Sequence, residues 1–187
     1  MSNLKPAVFL DRDGVINQVV FRNGQPASPR SLAEFVWIEG IHSAVAQLKS
    51  ANFRIFVVTN QPDIARNQLD PEVLSQISTT ISQSLSVDDI AVCPHDNYHN
   101  CDCRKPRPGM LLSLASIWGI DLSQSFIIGD SWKDMAAGKS AGCQTILIEQ
   151  PYNTGTEANF QVADIFAATD LIFSLISQRG IFHGLRC

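Results

Sequence analysis

The chain has 187 residues, a formal net charge of -4 and 45% hydrophobic residues. That length suits one domain with a substantial core, and the acidic balance excludes a basic nucleic-acid footprint spread over the surface. No apolar run approaches the roughly 20 residues that cross a bilayer, and residues 1–6 read unlike a secretory leader, so a cytoplasmic protein with reduced thiols is expected.

In chain order, Ala7–Leu10 is an apolar run that stops at Asp11-Arg12-Asp13-Gly14. Residues 18–40 are irregular, with Gly24, Pro26 and Pro29, and are expected to loop over a site. Ile41, Ala44, Val45 and Leu48 share one helical face. Residues 54–58 are β-branched and aromatic and read as a strand ending at Thr59-Asn60-Gln61-Pro62. Asp70-Pro71 is an N-cap and first-turn pair for a helix carrying Val73, Leu74, Ile77, Ile81 and Leu85. A strand at 90–92 leads into Cys93, and Leu111, Leu114, Ala115 and Trp118 form a helical stripe ended by Gly119. Residues 125–128 read as a strand stopping at Gly129-Asp130, then a helix over 132–141 ended by Gly142, then a strand over 145–148. Residues 149–162 are irregular, with a surface turn at 153–156, and a last helix is predicted around 171–177.

Strand–helix alternation predicts an α/β fold: a Rossmann-like, doubly wound parallel sheet covered on both faces, with ligands beyond the carboxyl ends of the strands. Asp11, Thr59 and Asp130 each follow a strand and should converge at that edge. No long insertion follows Asn17 or Thr59, so one domain over residues 1–187 is expected, with an open site and no large cap domain.

Asp11, Asp13 and Asp130, with Asp134 as a possible fourth, form a cluster that a cation must neutralise, and all-oxygen donors suit Mg²⁺. One carboxylate of such a set can act as a nucleophile and a second as acid and base. Each alone reads as a turn or capping aspartate; the set at successive strand ends does not. Cys93-x-His95, then five residues, then Cys101-x-Cys103 is a Cys₃His set for a structural Zn²⁺, in a zinc-binding loop at 93–103. His99 is the rival ligand, and unliganded thiols are the alternative.

The stretches "DRDGVIN", "VVTNQ", "RKPRPGM" and "IIGDSWKDMAAG" resemble, in order and interval, the motifs of the haloacid dehalogenase superfamily of aspartate-nucleophile phosphatases. The resemblance implies Asp11 as nucleophile, Asp13 as general acid and then base, and Thr59 and Lys105 on the transferring phosphoryl group. It implies Mg²⁺ on Asp11, Asp130 and the Asp13 backbone carbonyl, and Asn60, Gln61 and Arg104 on the substrate. Asp134 would orient a metal-bound water. The Cys-Pro-His … Cys-x-Cys-Arg-Lys-Pro pattern resembles the branch holding D-glycero-D-manno-heptose 1,7-bisphosphate phosphatases and histidinol-phosphate phosphatases. "FLDRDGVIN" and "RKPRPGM" are similar to the heptose enzymes, whereas the short gap between His95 and Cys101 is similar to the histidinol-phosphate loop.

The implied substrate is a small phosphorylated molecule, a sugar bisphosphate, handled by a monomer in carbohydrate metabolism. Rival readings are a histidinol-phosphate phosphatase, a nucleic-acid 3′-phosphatase using the open site, and a catalytically silent, zinc-stabilised binding module. Arg22, Arg30 and Arg107 are further candidates for a substrate anion, or solvated surface charges. Trp37 and Trp118 read as packing residues, Trp132 has a place near the site after Asp130, His42 reads as a surface residue, Cys143 as a buried hydrophobe and Cys187 as a frayed end.

Overall fold

The structure is a computed structural model that describes residues 4–178; Cys187 and residues 1–3 of the segment that reads unlike a leader lie outside the described residues. Strand β1 (Ala7–Leu10) runs through the centre, fully buried on both faces, which is why its sequence is apolar without alternation. The chain then forms a small antiparallel hairpin, β2 (Val20–Arg22) and β3 (Gln25–Ala27), before helix α1 (Ile41–Ser50) and strand β4 (Arg54–Asn60). Helix α2 (Pro71–Leu85) and strand β5 (Asp89–Cys93) follow, then α3 (Gly109–Trp118), β6 (Phe126–Gly129) and α4 (Trp132–Ala141). Strands β7 (Gln144–Ile148) and β8 (Phe160–Val162) and helix α5 (Ile165–Gln178) complete the described chain.

The six strands pair in the order β5-β4-β1-β6-β7-β8, every pair parallel. Winding goes outward from β1 to β5 and then restarts beside β1 at β6, so the doubly wound topology expected from the alternation is present. Val8, Leu10, Ile55, Val57 and Ile128 pack with α1, α2 and α5 on one face. Phe9, Phe56, Val58 and Ile127 pack with α3 and α4 on the other. Local signals are met: the Asp70 carboxylate accepts from Glu72 N–H at 2.8 Å with Pro71 opening α2, and Gly142 ends α4 at φ 88°.

Three expectations are corrected. Residues 18–40 contain the β2–β3 hairpin and a 3₁₀ turn at Leu32–Glu34, not only a loop. Residues 149–162 contain β8, which among the described residues pairs with β7 alone. Helix α5 begins at Ile165, not near 171, and the Asp164 carboxylate accepts from Ala167 N–H at its start. Three-residue strands carry too few residues for a period, and edge pairing is decided by the neighbour. Among the described residues no helix is long and apolar enough to cross a membrane.

Helix α4 lies close on β6 because Gly138 has no side chain: a Cβ there would sit 2.2 Å from Cγ2 of the fully buried Ile127 and 3.0 Å from Cγ2 of Thr145. Gly138→Ala gains about 1 kcal/mol of helix propensity but overpacks a rigid β-branched neighbour at about 1–3 kcal/mol. A lowered urea midpoint is the expected result, and an unchanged or raised one contradicts this packing.

Candidate active site

Beyond the carboxyl ends of β1 and β6, where the winding reverses, stand Asp11 and Asp130. Leu10 is in register with Ile128, and Asp11 N–H donates to Ile128 C=O at 2.9 Å. Adjacent strands lie about 4.8 Å apart, so the two carboxylates are brought side by side by sheet pairing alone. The turn after Asp11 closes tightly: Ile16 and Asn17 N–H donate to Arg12 C=O at 2.8 and 3.0 Å. Gly14 sits at φ 84°, and a Cβ there would fall 2.0 Å from Oδ2 of Asp130, so this glycine is required both by its backbone and by the close approach.

Lys105 binds the constellation together. Its buried ammonium contacts Asp11 Oδ1 at 2.8 Å, and donates to Asp134 Oδ1 at 2.5 Å and to Val58 C=O at 2.7 Å. Burial works against its charge, but Asp11 and Asp134 outweigh that and raise its pKa. Asp11 Oδ1 also accepts from Arg12 N–H at 2.7 Å, while Oδ2 accepts no hydrogen bond among the described residues. Burial, then the charge of Asp134, with Asp130 and Asp13 adding, drive the Asp11 carboxyl well above its ordinary value against the pull of Lys105. Asp130 is pushed up to about 7, by burial first and then by Asp134, although the Tyr152 hydroxyl, donating to Oδ2 at 2.5 Å, pulls it back.

Asp13 has the opposite environment. Burial raises it, yet the Arg12 charge and hydrogen bonds from Ser28, Asn17 and Arg12 prevail and hold it below the usual carboxylate range. Arg12 NH2 lies 2.9 Å from Oδ1, Asn17 Nδ2 3.0 Å, Ser28 Oγ 2.7 Å from Oδ2 and Gln61 Nε2 2.8 Å from Oδ2. Asp11, Asp13, Asp130, Lys105, Arg104 and Asn60 all line one open cavity of about 520 Å³.

Several of the expected site residues carry contacts within the protein. Gln61 is fully buried behind Asp13 and its amide bonds Asp13 and Thr59 Oγ1, so it does not reach the cavity as a substrate ligand. Thr59 is likewise buried, its hydroxyl oxygen accepting from the Gln61 amide at 2.9 Å. The Asn60 amide clamps the Lys105 backbone, donating to its C=O at 2.9 Å and accepting from its N–H at 3.0 Å. Asp134 is fully buried; one oxygen holds Lys105 and the other accepts from Ser131 N–H and Oγ at the start of α4, and a carboxylate oxygen of Asp134 lies within 4.8 Å of those of Asp11 and Asp130.

Arg22 and Arg30 line the cavity but are paired, Arg22 with Glu34 at 2.5 Å and Arg30 with Asp63 at 2.7 Å, so neither is a simple solvated charge. Arg107 instead donates to the Asn100 and Cys101 carbonyls. Trp132 is exposed and lines the cavity; Trp37 packs against Phe35, and Trp118 packs on Phe56 and donates to Asp89.

The thiols of Cys93, Cys101 and Cys103 and Nδ1 of His95 lie 3.2–3.7 Å apart along five of their six edges. A tetrahedral Zn²⁺ with bonds of about 2.0–2.3 Å needs edges of about 3.3–3.8 Å, close to those seen, and three thiols with one imidazole are a donor set that suits that ion. Burial and the Cys103 thiol push Cys93 up to about 12, whereas at Cys101 burial is outweighed by hydrogen bonds, led by that from Cys103, and the thiol is lowered. His99 is not part of it: its Nδ1 accepts from Asp96 N–H at 3.2 Å in a capping box. The loop ends at Lys105, and Arg104 donates back to His95 C=O and to Asn97.

Sequence reasoning missed Arg12, Ser28, Tyr152 and Asn153. Arg12, between two aspartates, carried a signal in its charge; Ser28, Tyr152 and Asn153 lie in stretches without periodicity. Residues 153–156 were expected as a surface turn, but Asn153 is buried and its amide donates to the carbonyls of Asp130 and Ile148, both at 2.8 Å.

A family profile described as HAD-hydrolase-like matches residues 102–171. The chain is 39% identical over 153 residues, 74% of its length and 80% of the relative's, to a D-glycero-β-D-manno-heptose-1,7-bisphosphate 7-phosphatase of Rhodopseudomonas palustris. It is 35% identical over 173 residues, 86% of its length and 90% of the relative's, to the enzyme of that name from Vibrio cholerae. A crystal structure of the D,D-heptose 1,7-bisphosphate phosphatase of B. bronchiseptica, complexed with magnesium and phosphate, superposes with a TM-score of 0.79 at 30% identity, covering 91% of this chain and 99% of that one. With a carboxylate pair at the switch point, a buried lysine between its acids and relatives of this identity and coverage, the chain belongs to the HAD-like hydrolases, in the family of the heptose-bisphosphate phosphatases.

Proposed function

We propose that this phosphatase hydrolyses a phosphate monoester through an aspartyl-phosphate on Asp11, with a D-glycero-D-manno-heptose 1,7-bisphosphate as substrate. The observation that carries the chemistry is the division of labour within one carboxylate: Lys105 and Arg12 N–H hold Asp11 Oδ1, and Oδ2 is left without a hydrogen bond beside the cavity. That oxygen attacks phosphorus as the ester P–O bond breaks. Asp13, facing the same cavity, protonates the leaving alkoxide. It is held ionised before substrate arrives, and the approach of an anionic phosphate raises its proton affinity, so it takes up its proton on binding. In the second half Asp13 removes a proton from the water that opens the acyl phosphate, and Asp11 is restored.

The hard oxygen donors of Asp11 and Asp130, offered within 4.8 Å of each other, fit Mg²⁺, and the resemblance to the family adds the backbone carbonyl of Asp13 as a further ligand. Bound there, Mg²⁺ would neutralise charge between the Asp11 carboxylate and an anionic phosphate. Lys105 shares the equatorial phosphoryl charge, and Arg104, at the cavity, faces the far end of the substrate, where a guanidinium suits a second phosphate. Cys93, His95, Cys101 and Cys103 would hold a structural Zn²⁺ that fixes the loop carrying Arg104 and Lys105. The open cavity, bordered by the β2–β3 hairpin and by short loops of the same domain, supports a single-domain enzyme without a large cap.

Phosphate release from a heptose 1,7-bisphosphate, histidinol phosphate and a nucleoside 3′-phosphate tests the substrate. The heptose is expected to be preferred, and preference for histidinol phosphate would overturn that assignment and leave the chemistry intact. Asp11→Asn should lower turnover by more than about a thousandfold with little change in melting temperature; equal activity in the variant would sink the covalent route. Purified protein should carry one zinc per chain, and Cys103→Ser should lose it along with thermal stability, read by metal analysis and melting.

The raised Asp130 sets a pH dependence. Its folded pKa of about 7 exceeds the ordinary 3.8, so the native state binds the extra proton and stability falls as pH rises between those values. In EDTA, Asp130→Asn should gain stability relative to wild type as pH rises from 5 to 8. Mg²⁺ should correspondingly raise the melting temperature of wild type more at pH 8 than at pH 5.

A further inference from the structure

We infer that Tyr152 is a positioning residue for the metal ligand Asp130: its hydroxyl holds one carboxylate oxygen so that the other is presented to the cation. The inference rests on the reading that Asp130 binds Mg²⁺, and goes beyond it to a residue in a segment that carries no motif.

The Tyr152 hydroxyl donates to Asp130 Oδ2 at 2.5 Å, and Asp130 Oδ1 accepts no hydrogen bond among the described residues. The same division is seen on Asp11, whose Oδ1 is held and whose Oδ2 is not. Two neighbouring carboxylates are thus each pinned by one oxygen and open at the other. A carboxylate free to rotate about its terminal torsion would present either oxygen or both; a donor on one of them selects single-oxygen ligation, which suits the strict octahedral demands of Mg²⁺.

The tyrosine is itself fixed. The Asn153 amide donates to the carbonyl of Asp130 and to that of Ile148 at the end of β7, and its side-chain oxygen accepts from Gln150 N–H at 2.9 Å. This straps the backbone on both sides of Tyr152 to the strand ends that carry the site. On the outer side the ring meets the edge of Phe21 on β2, with centroids 6.1 Å apart. Phe21 is 61% exposed, so the hairpin rests on the tyrosine and is not buried for its own sake. The segment after β7 therefore does for Asp130 what the loop before α3 does for Lys105. Hydrogen-bonding partners of metal ligands of this kind commonly account for about 10–100-fold in metal affinity.

The test is Mn²⁺ binding to the resting full-length protein, read by loss of the free-ion electron paramagnetic resonance signal, for wild type, Tyr152→Phe and Asp130→Asn. Phe keeps the ring and its contact with Phe21, so the fold is retained. Wild type should bind Mn²⁺, Asp130→Asn should lose it, and Tyr152→Phe should bind about tenfold more weakly. Turnover lost in Tyr152→Phe should return as Mg²⁺ is raised in proportion. Binding by Tyr152→Phe equal to or tighter than wild type, with Asp130→Asn still deficient, overturns the role of Tyr152. Equal binding by wild type and Asp130→Asn instead overturns the metal reading and this inference with it.

Discussion

A single buried ammonium holds the site in place. Lys105 has three protons and three partners, the carboxylates of Asp11 and Asp134 and the Val58 carbonyl. These come from the end of β1, the first turn of α4 and the interior of β4, three elements on different parts of the sheet edge. Without that cation, Asp11, Asp130 and Asp134 would form an uncompensated cluster of buried carboxyls, and removing one partner from a buried charge set is costly, about 3–5 kcal/mol. Lys105 owes nothing to sheet register, since it sits at the end of an irregular loop. The Asn60 clamp on its backbone and the Cys₃His cluster just before it determine where that loop ends.

Around this pivot two aspartates separated by one residue acquire opposite proton affinities. Asp11 has burial and three acidic neighbours against one lysine; Asp13 has Arg12 and a ring of hydroxyl and amide donors. Environments that drive paired carboxyls apart are what acid–base chemistry needs. Here the separation arises because Arg12, almost wholly buried between them, turns its guanidinium to Asp13, while Asp11 meets Lys105 and the other acids.

The rim is organised by ion pairs more than by apolar packing. Arg30 binds Asp63, Arg66 binds both Asp63 and Asp96, and Asp96 caps the 3₁₀ turn inside the zinc-loop candidate. The chain of charges joins the segment after the hairpin to the loop carrying Arg104 and Lys105. Each exposed pair contributes little alone, about 0–1 kcal/mol, but the network orients the loops that border an otherwise open cavity.

What could be read from the amino-acid order were the features with a local cause: unbroken apolar runs for strands buried on both faces, a helix period for α1 to α3, the cap at Asp70, the stop at Gly142 and the aspartates at strand ends. The ligand spacing of Cys93, His95, Cys101 and Cys103 was equally legible, because neighbours two apart can close on one point. Tertiary structure alone decided which of the polar residues face the cavity. Gln61 and Asp134 sit in motifs yet point inward, holding Asp13 and Lys105, while Tyr152 and Ser28, in stretches without period, reach the carboxylates. A side chain's partner across 15 to 48 residues of chain depends on which strands pair and how the loops pack over them, and no local pattern encodes that.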